Sequence, residues 1–396
     1  MATGHEATPE HGLRRTLTLW PLVFYGLSVI VGAGIYVATG AVAERAGTAA
    51  PLAFLAAGVV AGFTGLCYAE LAGRFPEAAG AAAYVRHGFG SHRLSLATGL
   101  ALALSIVVAT ASIAAGAVQY LRVLVDLPPA VLTAGLVVLF TLVAAMGVRE
   151  SVGLAAGVGV VEIAGLLVAV AVGFAAADGF DPATLVPVGL AGWSGVAAGA
   201  FIAFFAFIGF ESLANMGEEV RDPGRTLPRG ILGALTASVV LYLAVSLAAV
   251  AGGRTSGSLV DLFQGVWATV FAVIGTMAVA NGVLVQIVVL ARLIFGVARQ
   301  GQLPALLAVV HPRTRTPLAA TALSGAMVLA MALFLPFERL LAMANVITLA
   351  IFVLVDLALW RVQRTAPKAE GFAVPRFVPP LAAALAAGLL VAVLVA

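Results

Sequence analysis

Runs of about twenty apolar residues, separated by short polar links, recur along almost the whole chain, and each is long enough to cross the roughly 30 Å hydrocarbon layer of a bilayer as a helix. Between Arg93 and Arg122, for example, no residue is charged. Of the 396 residues, 10% are charged and 62% hydrophobic. A soluble domain devotes about a quarter of its residues to charge, so too few charges remain here to cover a water-facing surface. Lipid is the solvent this composition suits, and helices are the form it takes, because an unpaired backbone group is costly in hydrocarbon.

The runs place spans at about 19–41, 51–73, 94–121, 129–148, 151–176, 194–216, 227–251, 261–298, 317–335, 338–361 and 377–395, after a polar tail at 1–18. The fold class expected is an all-α integral membrane protein of eleven spans. Pro51, Pro129 and Pro317 fall at first-turn positions, where a missing N–H matters least.

The polar links test this count. With the N-terminus on one side, seventeen of the 21 basic residues fall on that side, and only Arg45, Arg122, Arg254 and Arg339 fall on the other. Basic residues concentrate on the cytoplasmic face, so the tail is expected in the cytoplasm and the protein in the cell's inner membrane. Arg14 and Arg15 are then the cytoplasmic flank of the first span and not an export signal. The basic residues form no patch, which excludes a nucleic-acid partner. Cys67 is the only cysteine and the five histidines lie in polar stretches, so neither a disulfide nor a metal centre is expected. There is no glycine-rich phosphate loop with a lysine, and the one lysine is Lys368. No cofactor, ATP-driven step or enzyme activity is expected.

Two spans are interrupted alike. The first carries Gly32-Ala33-Gly34 and the sixth carries Ile208-Gly209-Phe210-Glu211-Ser212. Gly34 and Gly209 are 175 positions apart, an interval of five spans. Matching breaks in two sets of five point to inverted repeats around a midplane site, with halves at 19–176 and 194–361 and an additional helix at 377–396. Freed backbone groups are tolerable in a membrane where they line a cavity. Glycine also serves close packing, the reading given to the pairs Gly58/Gly62, Gly153/Gly157 and Gly195/Gly199.

Four stretches resemble the amino acid–polyamine–organocation transporter superfamily over nearly the whole chain. They are Val31–Tyr36; Tyr68–Ala72 with Phe75-Pro76, Gly80, Tyr84 and Phe89-Gly90; Phe207–Glu211 with Glu218–Pro223 and Pro228-Arg229; and Ala291-Arg292 with Ala298–Pro304. The resemblance implies a five-plus-five inverted-repeat fold with a substrate site at the breaks in spans one and six. It implies that backbone N–H groups around Ala33, Gly34 and Ile35 receive a substrate carboxylate. Carbonyls around Phe205, Ala206 and Ile208 would receive the amino group, and Phe207 or Phe210 would close over the substrate. Some members carry a lysine in the fifth span, where this chain has Glu162.

Carboxylates within spans are functional candidates. Glu162 is read as a protonation or cation-coupling site, with a neutral structural acid as the alternative. Glu211, just past the second break, is read as orienting the unwound backbone or joining a gate. Glu70 is expected to pair with Arg74 or with the region of Arg292 in a structural or gating role. Asp356 is read as a local partner of Arg361. Asn281 is a candidate substrate or gate contact. The function expected is secondary active transport of an amino acid by alternating access, with protons as a candidate co-substrate and with symport and exchange both open. An organic amine or polyamine, including export, is the alternative substrate class; a membrane sensor that carries nothing is a third reading. The oligomeric state is silent in the sequence.

Overall fold

The structure is a computed structural model that describes residues 17–77, 80–146, 152–177, 179–253, 257–299, 301, 303–365 and 371–395. Among them there is no strand, and thirteen α-helices carry the fold: α1 Leu19–Ala46, α2 Ala50–Arg74, α3 Gly80–Phe89, α4 His92–Gly116, α5 Val118–Leu124, α6 Pro129–Ala145, α7 Val152–Ala175, α8 Gly189–Phe204, α9 Pro223–Ala251, α10 Val266–Arg299, α11 Leu318–Phe334, α12 Phe337–Thr365 and α13 Val378–Val395. Seven helical stretches are long and apolar enough to cross a membrane, and the shorter Leu19–Gly32, Pro129–Ala145, Leu318–Phe334 and Val378–Ala392 accompany them. Gly34–Arg74 holds the second part of α1 and all of α2; divided between those helices, the stretches follow the eleven expected runs in order. Large apolar side chains such as Leu100, Leu142 and Phe334 face outward, as a lipid-facing surface requires.

Proline and glycine set several boundaries. Pro51 and Pro129 stand in the first turns of α2 and α6, and Pro317 caps α11. The third pass is two helices, α4 and α5, meeting at Ala117. Gly116 lies directly against the Val37 side chain of α1 at this joint. The eighth pass starts at Val266, later than the apolar run suggests, because Ser258 and Asp261 form a capping box on the short 3-10 turn Leu259–Leu262 and Gly265 turns the chain at φ 55°. The sixth begins earlier, at Gly189, whose φ of 65° is a turn into α8.

Packing sorts the helices into two groups. α1, α2, α8 and α9 pack chiefly on one another, and α4, α6, α10 and α11 form a second set. α7 lies against α1, α9 and α10, while α12 leans mainly on α4, α13 and α3. Close approach rests on small residues. Gly199 meets Ala46 and Ala53, Gly195 meets the carbonyl of Arg45, and Gly58 meets Val239 and Phe207. Gly62 has no such neighbour, and the surroundings of Gly153 and Gly157 lie outside the described residues. Leu17 forms a parallel bridge with Val220, donating to the Glu219 carbonyl at 3.0 Å and accepting from the Arg221 N–H at 2.9 Å. That bridge fixes the start of α1 to the loop after the sixth pass.

Candidate functional site

Both expected breaks are present. In α1, Gly32 leaves the helix with φ −8° and ψ −139°. In the sixth pass α8 ends at Phe204, a 3-10 turn covers Phe205–Phe207, Ile208 is extended, Gly209 has φ 132°, and a second 3-10 segment covers Phe210–Met216. Only glycine adopts that Gly209 geometry without strain. The two breaks abut. A Cβ added at Gly34 would stand 2.9 Å from the Ala206 Cα, and one at Gly209 would stand 3.1 Å from the Val29 carbonyl oxygen. Gly32 is buried, yet an added Cβ there would meet nothing within 4 Å. Space is therefore left beside the first break while backbone closes on its neighbour Gly34.

The freed carbonyls already have partners. The Tyr242 hydroxyl of α9 lies 2.7 Å from the Ile30 carbonyl oxygen and 2.9 Å from that of Ala206. One phenol thus ties both breaks together, sharing a single proton between two acceptors. The Ile208 N–H donates to the Phe205 carbonyl at 3.3 Å. Each of these oxygens keeps a second lone pair. On the donor side, the Glu211 carboxylate turns back and accepts from the Gly209 N–H at 2.8 Å. That bond lies at the start of the 3-10 segment Phe210–Met216.

The remaining expected residues fall into three places. Phe207 and Phe210 are fully buried. Phe207 packs on Tyr242 at 5.0 Å, and Phe210 packs on Tyr68 at 5.5 Å and on Phe352 at 5.2 Å. Ile35 is buried in α1, and Ala33 lies in the same helix between Gly32 and Gly34. Glu162 of α7 is 1% exposed and neither carboxyl oxygen has a hydrogen-bond partner. Asn281 of α10 faces that carboxyl outside strict hydrogen-bond geometry. The Tyr36 hydroxyl donates to the backbone carbonyl of Glu162 at 2.7 Å, and the hydroxyls of Tyr36 and Tyr242 are both within electrostatic range of its carboxyl. An unfilled carboxyl therefore stands next to the junction of the breaks.

Glu70 is elsewhere. Wholly buried on α2, it pairs with Arg74 at 2.6 Å and accepts from Gln363 Nε2 at 2.9 Å and from the Val374 N–H at 2.7 Å. It joins α2, α12 and the link to α13. Asp356 does not pair with Arg361. Five helical positions turn the chain about 140° away from register, so Arg361 stacks over Phe89 at 4.9 Å while the Asp356 carboxyl accepts from Thr64 at 3.0 Å.

Along α1, past the first break, an aromatic cluster joins Tyr36, Tyr120, Phe271 and Phe263, with Tyr120 donating to the Tyr36 carbonyl at 2.7 Å. Beyond it a cavity of about 560 Å³ is lined by Val37, Gly40, Glu44, Gln119, Arg122 and Asp261 among others. Sequence reasoning missed Tyr242, Tyr36 and Tyr120. The signal available was a phenol inside an otherwise apolar run, since a buried tyrosine hydroxyl usually finds a partner. Tyr242→Phe is expected to lower stability by about 1–3 kcal/mol, the loss that follows when buried carbonyls give up their donor. Thermal unfolding of the purified variant in detergent checks this.

A multi-pass helical membrane protein with two broken spans meeting at its centre has the build of a solute carrier. The comparison with known proteins agrees. The chain belongs to the amino acid permease family, whose model matches residues 17–396. It is 31% identical to the methylthioribose transporter of Bacillus subtilis over 93% of this chain and 85% of that one. It is 29% identical to the branched-chain amino acid permease BcaP of the same organism, over 90% and 83%. Identity to cationic amino acid transporter 5 of Arabidopsis thaliana is 30% over 88% of this chain, which spans 65% of that longer protein.

Proposed function

We propose that this protein is a proton-coupled carrier of an α-amino acid, working by alternating access around the two breaks. The observation that carries the reading is the contact of Gly34 with Ala206 beside unfilled space at Gly32. Backbone N–H groups at Ala33, Gly34 and Ile35 receive the carboxylate, and the second lone pairs of the Phe205, Ala206 and Ile208 carbonyls receive the amino group. A helix start favours an anion and a helix end a cation. Phe207, Phe210 and Asn281 complete the lining once the breaks separate. Glu211 is engaged with the Gly209 N–H and this reading assigns Glu162 to the proton, so the substrate we propose is a neutral amino acid. Glu162 takes up and releases the coupled proton. Residues 19–176 and 194–361 act as inverted halves, and the N-terminus faces the cytoplasm of a cell whose inner membrane holds the protein.

Purified protein in proteoliposomes, offered labelled leucine, arginine, putrescine and methylthioribose with and without an inward proton gradient, tests this. Gradient-stimulated uptake of leucine is the expected result. Flux of arginine or putrescine in its place would give the site to a cation, as the plant cationic relatives suggest. Flux of methylthioribose alone would overturn the amino acid reading, because that solute has neither carboxylate nor amine.

A further inference from the structure

Asp356 lies two thirds of the way along α12 and is wholly buried. Its Oδ2 accepts from the Thr64 hydroxyl of α2 at 3.0 Å, and the Cys67 thiol, one turn further along α2, is in hydrogen-bonding reach of the same carboxyl. Oδ1 has no partner. The other titratable groups facing this pocket are the Tyr68 hydroxyl and, beyond Cys67, the Glu70 carboxyl. No ion pair among the described residues includes Asp356. α8 and α13 contain no charged residue, α4 has only His92 and Arg93 at its start, and α3 carries Tyr84 and, in its last turn, Arg86 and His87, both paired with Glu77. An ionised carboxylate has about four acceptor positions to fill. Two weak neutral donors with no cation do not offset the loss of water around a charge. These partners suit a carboxyl that carries its proton better than a bare carboxylate.

Its place gives that acid a use. α2 packs mainly with α9 and α8, whereas α12 packs chiefly with α4, α13 and α3; the two also touch directly, and α13 lies against both. The Thr64–Asp356 bond, between residues 292 apart in sequence, crosses the joint between the two. Movement of one group against the other strains this bond and admits water to the carboxyl.

We propose that Asp356 is a proton-binding site, loaded while α2 and α12 are packed and emptied when they part. On opening, the O–H bond of the acid breaks, its electron pair stays on the carboxylate, and the proton passes to the entering water. Closure requires the proton back from the same side before Thr64 and Cys67 re-engage, so the Asp356 proton conditions closure and is not carried across with the one on Glu162. The site is distinct from Glu162, which lies on α7. The proposal rests on the alternating-access reading for the parting of the helices and not on the identity of the solute.

Infrared spectroscopy of the protein in lipid vesicles tests it, with the carboxylic C=O band followed from acidic to alkaline pH. Asp356→Asn assigns the band by removing it. Thr64→Val assigns it independently by moving its frequency, and serves if the asparagine variant fails to fold. The expected result is a band that fades as pH rises, while Cys67 alkylation by N-ethylmaleimide climbs more steeply in the wild type than in Asp356→Asn. A band unchanged across the range marks a permanently neutral structural acid and overturns the proposal. So does the absence of any band that Asp356→Asn removes or Thr64→Val moves. Failure of the carrier reading shows separately, as vesicles without flux for any solute whose band still titrates.

Discussion

Glu162→Gln is expected to abolish proton-driven accumulation while leaving exchange of substrate for substrate intact. The carboxyl is buried without a hydrogen-bond partner and sits beside the tyrosines that link α1, α7 and α9. Glutamine preserves its shape and polarity but has no proton to give. With one proton carried per substrate molecule, each unit of pH difference contributes about 1.4 kcal/mol, or about tenfold accumulation. Wild-type vesicles should therefore concentrate substrate about tenfold per pH unit, and Glu162→Gln vesicles should level off near equal concentrations. Counterflow, in which labelled solute outside exchanges with unlabelled solute inside, measures the carrier without the gradient. Persistence of full accumulation in the variant would make Glu162 a structural acid and move the coupling elsewhere.

The second large effect is expected at the contact between the breaks. Gly34→Ala places a methyl group 2.9 Å from the Ala206 Cα. That neighbour is backbone, which cannot rotate away, so the two breaks must separate. Overpacking of this kind costs about 1–3 kcal/mol, and a carrier that has to close this contact in each cycle should lose flux on the order of tenfold or more. Gly32→Ala is the comparison, since the added carbon meets nothing within 4 Å. It should leave the packing alone and weaken substrate binding by occupying the free space. Equal flux in Gly34→Ala and the wild type, measured at matched protein density in vesicles, would show that the contact is not remade during transport.

What could be read from the sequence was whatever is written in consecutive residues. The apolar runs fix the passes because span length is set by the bilayer, and the glycines at 32, 34 and 209 mark the breaks because the chain must leave the helix there. The bonds that hold the breaks are a different matter. Tyr242 reaches Ile30 across 212 positions, Tyr120 reaches Tyr36 across 84, and Tyr36 reaches Glu162 across 126. Nothing local announces which carbonyl a phenol will find. Asp356 illustrates the same limit. Arg361 is near in sequence but on another face of α12, and the partner found is Thr64 on α2. Glu70 was legible for the opposite reason, because Arg74 stands four residues on, on the same face.

The bridge between Leu17 and Val220 bears on how the chain is made. The first helix leaves the ribosome about 200 residues before the strand-like segment that holds its start. At about 5–20 residues per second, that is a wait on the order of 10–40 seconds. Its other main neighbours, α7, α8 and α9, are all made after the first 150 residues. The founding helix of the carrier core must therefore stay in the bilayer without its lasting neighbours while more than a third of the protein is synthesised, and it needs lipid, translocase or chaperone contacts to shield its broken middle until they appear.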